Sequence, residues 1–580
     1  MWVLQKVTGM ARALWDRLTG KEPPERTLSA RAATVLPGPE PGVGVCLSGG
    51  GSRALAAGLG QLRGLAHLEP GRLVTTTTPG HTPAETLDVL PAGNPGQNIG
   101  GDFSVIDLVV QMLGLRIAHD TPWNMMWQVL IARHLLQPYG LYESGARAEP
   151  ASLFALDSAT LQSDVVGPNP ALATVSAHLP ASGPGRLKRP YMICNTAMFV
   201  KDDHEAFEYL APVQATSSFT GIVGSPDGVD ANGREPGGGG ISSFAFNSAL
   251  DQVSGDRISV SQARTWSLTD IVGASSAAFA ETLQNLLAEA KEDPQELHRH
   301  FQERTGQVHS HLSAHTAAAD HQSLLSKLEG IAVHDIEHLL RELDPEALIP
   351  RYEYFPVRNL APDPGAQATR FADGGSLENT GVAGMLAHDQ VHSIISFVNA
   401  DVAISSEDKG LNVSDQIPVL FGFRPFDKDH GYRRYPDAQS ALLAQVEDLG
   451  SDRIYRYNHV FEADGFDAVL AGLASAAGSD LATGPAVVRT ELTTVDNAWF
   501  GIRGGRKVTV VWYVLGPVSD WNDKLSSDVH GVVDKLHGFP NYSTASTKLD
   551  ATHVNAMSNL TAWSVGSSAQ ADLFRDLFTT

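Results

Sequence analysis

Three consecutive glycines, Gly49, Gly50 and Gly51, stand between Ser48 and Ser52-Arg53-Ala54. A glycine run where a strand gives way to a helix lets the backbone turn sharply and aim several N–H groups at one point. That arrangement suits an anionic tetrahedral intermediate. Arg53, opening the next helix, adds fixed positive charge. Glycines at strand ends are also simple turns, and the succession of strand, Ser-Gly-Gly-Gly-x-Arg and helix is what makes the catalytic reading more specific. A Walker phosphate loop is excluded because its lysine is missing. The second chemically capable segment, Arg370-Phe371-Ala372-Asp373-Gly374-Gly375, is an extended run ending in an aspartate and two glycines. Taken alone it reads as a turn in which the aspartate caps the backbone.

Two histidine pairs, His311 with His315 and His334 with His338, have the spacing of metal ligands sharing a helix face. Neither has the Glu of His-Glu-x-x-His, and both sit among Glu, Arg and Gln, so they read as solvated helix surface; no metal and no cofactor is expected. Phe421-Gly422-Phe423-Arg424-Pro425-Phe426 and Tyr432-Arg433-Arg434-Tyr435 mix aromatics with arginines. Such residues either rim a lipid-entry mouth or pack locally.

The elements that must position these groups are legible from periodicity. Val43 to Leu47 is a short apolar strand, and the leucines from Leu55 to Leu65 suit one face of a helix. Leu73 to Thr78 is a β-branched run broken by Pro79-Gly80, a second candidate strand and turn. Helical patterns cover Val105 to Leu115 and Met125 to Leu136, and an extended pattern returns at Tyr191 to Thr196. Residues 221–240, with Gly237 to Gly240, read as a mobile surface loop. From Ser267 to about Leu343 the pattern is nearly all helical, and strands return at Ala368–Ala372, Ser393–Val398 and Val508–Leu515. Strands separated by long helical stretches predict an α/β fold with a mainly parallel central sheet, helices on both faces, and a helical insertion. The expected organisation is an N-terminal helix and linker over 1–36, a core over 43–401 with a helical cap at about 285–345, and an extension over 402–580.

The chain has 580 residues and carries 42 Lys+Arg against 65 Asp+Glu, a net charge of -23 that disfavours nucleic acid as a partner. Only Cys46 and Cys194 are present, so a disulfide framework is absent and a reducing compartment is expected. Neither a secretory signal nor a membrane-length apolar run is evident, which predicts a cytoplasmic protein. Residues 2–18 alternate apolar and basic positions at helical spacing. This suits a peripheral contact with a lipid surface, or packing on the protein's own body.

Cys46-Leu47-Ser48-Gly49-Gly50-Gly51-Ser52-Arg53-Ala54 resembles the oxyanion signature of patatin-like and cytosolic phospholipase A2-like acyl hydrolases, and Asp373-Gly374-Gly375 is similar to their Asp-Gly-Gly motif. Arg189 to Thr196 with Phe207 to Pro212 looks like a further segment of the phospholipase branch. The resemblance spans roughly Val43 to Asp401. It implies a three-layer α/β sandwich, an ester or lipid substrate, oxyanion stabilisation by Gly49, Gly50 and Gly51, and an Arg53 that supports phosphate or the charged intermediate. It also implies a nucleophile–Asp dyad with Asp373 as base and no histidine.

The family's nucleophile is a serine in Gly-x-Ser-x-Gly on a strand-to-helix elbow, and no strict copy exists here. Gly273-Ala274-Ser275-Ser276-Ala277 comes nearest and makes Ser275 the first candidate. The capping box Ser267-Leu268-Thr269-Asp270 speaks against it, since it predicts a helix that starts before Gly273. Thr78, before Pro79-Gly80, occupies the slot where the elbow usually falls and is the alternative, although its β-methyl crowds an elbow. The expected activity is acyl-ester hydrolysis. Acyl transfer on the same site, or a lipid-binding pseudoenzyme without the elbow, remain the alternatives.

Overall fold

The computed structural model describes residues 26–34, 42–68, 105–137, 152–179, 191–201, 208–225, 236–277, 345–358, 367–435, 455–544 and 549–579, with a few isolated positions between them. The first strands are β1 (Arg26–Ala33), β2 (Gly42–Leu47), β3 (Leu153–Phe154) and β4 (Ala177–His178). Then follow β5 (Cys194–Lys201), β6 (Glu208–Ala215), β7 (Phe219–Ile222), β8 (Gly239–Ser242), β9 (Ala249–Ser254) and β10 (Arg257–Gln262). The last are β11 (Arg351–Tyr354), β12 (Gln367–Asp373), β13 (Val391–Val398), β14 (Ser405–Glu407), β15 (Gly410–Asn412), β16 (Ala486–Thr493) and β17 (Lys507–Val514). Helices that bear on the site are α1 (Gly51–Leu68), α2 (Val105–His119), α3 (Met126–Ile131), α4 (Leu268–Ser275), α5 (Val382–Leu386), α6 (Gly465–Ala477), α7 (Ala551–Gly566) and α8 (Ala571–Thr579).

The expected mainly parallel sheet is overturned. Nine strands form one sheet in the order β11-β12-β5-β6-β7-β8-β1-β10-β9, and every neighbouring pair in it is antiparallel. The smaller sheet, β16-β17-β13-β2, is parallel across β17-β13-β2 and antiparallel at β16. Parallel neighbours need a long crossover, whereas antiparallel ones need only a short turn. Among the strands missed by periodicity, such turns join β6 with β7, and β9 with β10. β9 has no alternation because four of its six residues are exposed, and β7 and β8 have none because all their residues are buried. β1 lies in the stretch read as linker and pairs with both β10 and β8.

Gly237 to Gly240 also differ from expectation. They are buried, and Gly239 and Gly240 belong to β8. A Cβ on Gly221 would lie 2.3 Å from the Gly239 carbonyl oxygen, so glycine serves close strand approach here rather than mobility.

Phe246, Trp266, Tyr352 and Phe371 make a contiguous aromatic run beneath β12, with ring centroids 4.7, 4.6 and 5.2 Å apart in succession. The smaller sheet is flanked by α1, α7 and α8, whose apolar residues surround Ile395, Phe397, Val511 and Tyr513. α1 and α7 pack unusually closely. A Cβ on Gly60 would meet Thr561 Oγ1 at 2.0 Å and the Ser558 carbonyl oxygen at 2.2 Å, and one on Gly64 would meet Val565 Cβ at 2.7 Å. The Thr561 hydroxyl, brought that close, donates to the Ala57 carbonyl at 2.9 Å. Among the described residues no helix is long and apolar enough to cross a membrane.

Candidate active site

β2 runs parallel to β13 and delivers Ser48 to the sheet's edge, where the Ser48 amide donates to Phe397 O at 3.0 Å and the Asn399 amide donates to Ser48 Oγ at 2.8 Å. The chain then turns through Gly50 (φ 137°) and Gly51 (φ 62°), conformations that favour glycine, and enters α1. The Gly49 amide is committed to the Asn379 carbonyl at 3.1 Å. Among the described residues nothing accepts from the amides of Gly50 and Gly51. They stand at the N-terminus of an 18-residue helix, where backbone dipoles favour negative charge.

Arg53 does not face outward. It is 1 % exposed; its Nε donates to Asn399 O at 2.9 Å, Nη1 to Tyr542 O, and Nη2 to Thr544 Oγ1 at 3.2 Å. Burial lowers its pKa and Asp401, 4.0 Å away, works against that.

Asp373 closes β12, paired with Thr196 of β5, and its carboxylate accepts from the Gly375 amide at 2.7 Å. Gly374–Ser376 form a single 3-10 turn. The side-chain oxygen of Asn379 is wedged between this turn and the glycine loop: a Cβ on Gly375 would be 2.5 Å from Asn379 Oδ1, and one on Gly49 would be 2.3 Å from it. The two motifs, over 320 positions apart in sequence, are thus in contact through one residue. Both Asn379 and its neighbour Glu378 escaped the sequence reading. Glu378 is buried, and its carboxylate accepts from the Thr380 amide at 2.7 Å, the Thr380 hydroxyl and the Ala383 amide at 3.1 Å, capping α5. Burial pushes its pKa up, and those hydrogen bonds oppose the rise. The signal available was the placement of an acid four residues before a glycine-started helix, which is an N-terminal cap pattern.

Ser275 is the last residue of α4, whose capping box at Ser267 and Asp270 is fully formed. Gly273 lies within the helix and packs on Gln128 of α3, where a Cβ would come within 3.0 Å of Gln128 Cγ, so it serves helix contact rather than an elbow. Ser275 Oγ donates to the Asn195 carbonyl at 2.7 Å. The pKa of the Cys194 thiol is raised by burial, lowered by Ser275 and raised again by the charge of Asp373. Ser275 and Asp373 therefore flank the same cysteine, one residue before the Asn195 carbonyl, while no described hydrogen bond joins them directly. Beside the Asp373 turn, Asn195, Gln214, Gly374, Leu377 and Glu378 line a cavity of about 20 Å³, room for one water.

Thr78, the stretch 285–345 apart from isolated positions, residues 2–18 and three of the four paired histidines, His311, His315 and His334, lie outside the described residues. No group of three or more metal-ligating side chains is assembled among the described residues. The aromatics near 421–435 pack locally: Phe421 is fully buried against Phe461 and Phe466 at 5.4 Å each, Tyr432 stands 4.9 Å from Phe466, and Arg434 lies 5.3 Å over Phe423.

No family model and no curated protein matches the chain. Among solved structures, human GIVD cytosolic phospholipase A2 is similar with a TM-score of 0.43 at 13% identity, over 93% of this chain and 62% of that one. The chain thus spans under two thirds of that protein's length, and a likeness of this degree leaves any functional reading to rest on the chain's own residues.

Proposed function

We propose that this protein is a carboxylic-ester hydrolase that takes an ester or lipid substrate, with Asp373 as base, a hydroxyl nucleophile, and the amides of Gly50 and Gly51 as oxyanion donors. The observation that carries the reading is the convergence of Gly49 and Gly375 on Asn379 Oδ1, which sets the uncommitted glycine amides beside the aspartate turn. The nucleophile is assigned to Ser275, with Thr78 as the alternative. Asp373 removes the hydroxyl proton as the oxygen attacks the ester carbonyl; the developing oxyanion is held by the loop amides and the helix N-terminus. Collapse expels the alcohol, which takes the proton from Asp373. Water, deprotonated by the same carboxylate, then releases the acid and regenerates the hydroxyl. An alcohol in place of that water gives acyl transfer. The helical stretch about 285–345 is the proposed substrate-facing cap, and residues 2–18 the proposed contact with a lipid surface, in a cytoplasmic protein.

A second reading, a lipid-binding protein without turnover, is favoured by one observation: Ser275 Oγ already donates to the Asn195 carbonyl rather than to a carboxylate. Fluorophosphonate labelling followed by intact mass separates the two. A single adduct lost in Ser275→Ala, kept in Thr78→Ala and formed about 10²-fold more slowly in Asp373→Asn is the expected result. Loss in Thr78→Ala alone reassigns the nucleophile, and no adduct with no ester turnover removes the hydrolase reading.

A further inference from the structure

Arg53 is the one charged side chain of the glycine loop, and every nitrogen of its guanidinium is engaged inside the protein. Its Nε meets Asn399 O, Nη1 meets Tyr542 O, and Nη2 meets Thr544 Oγ1. The loop backbone lies directly on this group: a Cβ on Gly50 would be 2.4 Å from Nη2, at a φ of 137°. Asn399 then joins three parts of the site. Its amide donates to Ser48 Oγ, its carbonyl accepts from Arg53, and its side-chain amide exchanges hydrogen bonds of 2.6 and 3.2 Å with Gln61 of α1. The segment that receives Arg53 is itself fixed, because Asn541 Nδ2 donates to Ala400 O at 2.9 Å and to Leu515 O at 3.1 Å. A planar fork with five donors is suited to such a junction, and lysine, with one point of charge, cannot reproduce it.

We infer that Arg53 is a strut tying the glycine loop to the segment Asn541–Thr544, so that Tyr542 and Thr544 are positioning residues for the amides of Gly50 and Gly51, and Arg53 is not a ligand for a substrate phosphate. The purpose given to the loop rests on the hydrolase reading; the strut itself does not. A phosphate ligand must present donors to solvent, and a guanidinium 1 % exposed, with each of its nitrogens held by an internal acceptor, turns none toward solvent. Breaking one of these contacts leaves a buried charged donor unsatisfied, which costs more than an ordinary hydrogen bond. Thr544 is the place to break it, since its residue is exposed and its replacement opens no cavity.

Hydrogen–deuterium exchange on the full chain tests the strut without reference to turnover. The amides of Ser48, Gly49 and Ala54 are hydrogen-bonded to Phe397 O, Asn379 O and Gly50 O and report on loop shape. Thr544→Val and Arg53→Lys should each speed their exchange about tenfold, while Thr544→Ser, which keeps the acceptor, stays at the wild-type rate. With a p-nitrophenyl ester, Thr544→Val should lower kcat and leave KM unchanged. Unchanged loop exchange in both Thr544→Val and Arg53→Lys overturns the strut. So does an Arg53→Lys protein that loses only its KM for phosphate-bearing esters while neutral esters turn over normally. Should the wild type turn over no ester, the exchange arm still decides the strut, and only the hydrolase reading falls.

Discussion

Replacing Gly60 by alanine should destabilise the protein even though alanine is the better helix former. The residue lies within α1, where Gly→Ala alone is worth about 1 kcal/mol in favour of the helix. The added methyl would sit 2.2 Å from the backbone oxygen of Ser558 and 2.0 Å from Thr561 Oγ1. Carbon atoms reach comfortable contact near 3.5 Å, so α1 and α7 must part locally by roughly 1.3 Å. Overpacking of this kind costs about 1–3 kcal/mol. The Thr561 hydroxyl must also leave its bond to Ala57 O, at about 1 kcal/mol more. The net expectation is a loss of roughly 1–3 kcal/mol. Gly58, two residues earlier on the same helix, supplies the control: a Cβ there meets only Leu47 at 3.8 Å, ordinary contact, so Gly58→Ala should be neutral or stabilising. Thermal unfolding followed by far-UV circular dichroism reads the pair side by side, and Gly60→Ala should melt a few degrees below Gly58→Ala. Equal melting of the two variants would refute the α1–α7 contact as the reason glycine stands at position 60.

Asp550 caps α7 by accepting from the His553 amide at 3.0 Å, and Asp550→Ala should cost about 1 kcal/mol in thermal unfolding; no change would mean that α7 does not need its cap. His388, buried and bonded through Nε2 to Gln214 Oε1 at 2.9 Å, has a pKa held below its ordinary 6.5 by burial and then by Arg506. The unfolded chain therefore takes up a proton that the native state resists, so stability present above about pH 6.5 falls as the pH drops through the folded pKa. His388→Gln should flatten that fall in melting temperature, and an unaltered slope would contradict it. Gly221→Ala, whose methyl would lie 2.3 Å from Gly239 O, should weaken the β7–β8 pairing and lower thermal stability by roughly 2–3 kcal/mol; solubility and melting like wild type would refute this.

What could be read in the sequence follows from local signals. β2, β12, β13 and β17 are short apolar runs, and the structure finds them within two residues of expectation. The capping box at Ser267 placed the start of α4 correctly because both of its hydrogen bonds are local. The sheet arrangement was not legible, because pairing is a property of distant segments: β12 lies between β11 and β5, and nothing in Gln367 to Asp373 names either neighbour. Composition misled at Gly237 to Gly240, where glycine is required by close strands. At the site, the types of residue in the two motifs pointed to each other through resemblance, while Asn379, which joins them in space, and the inward direction of Arg53 depend on side-chain placement that no spacing records.

The contact between Thr561 and Ala57 spans 504 positions of the chain. During synthesis the glycine loop leaves the ribosome well before α7, with translation at about 5–20 residues per second in between. For that interval α1 lacks the surface its glycines are shaped to meet, and Arg53 lacks two of its three acceptors. Any chemistry performed at this loop is thereby deferred until the segment Asn541–Thr544 and α7 have also been made, so that a product ending before them carries the residues of the glycine loop and of the Asp373 turn without their geometry.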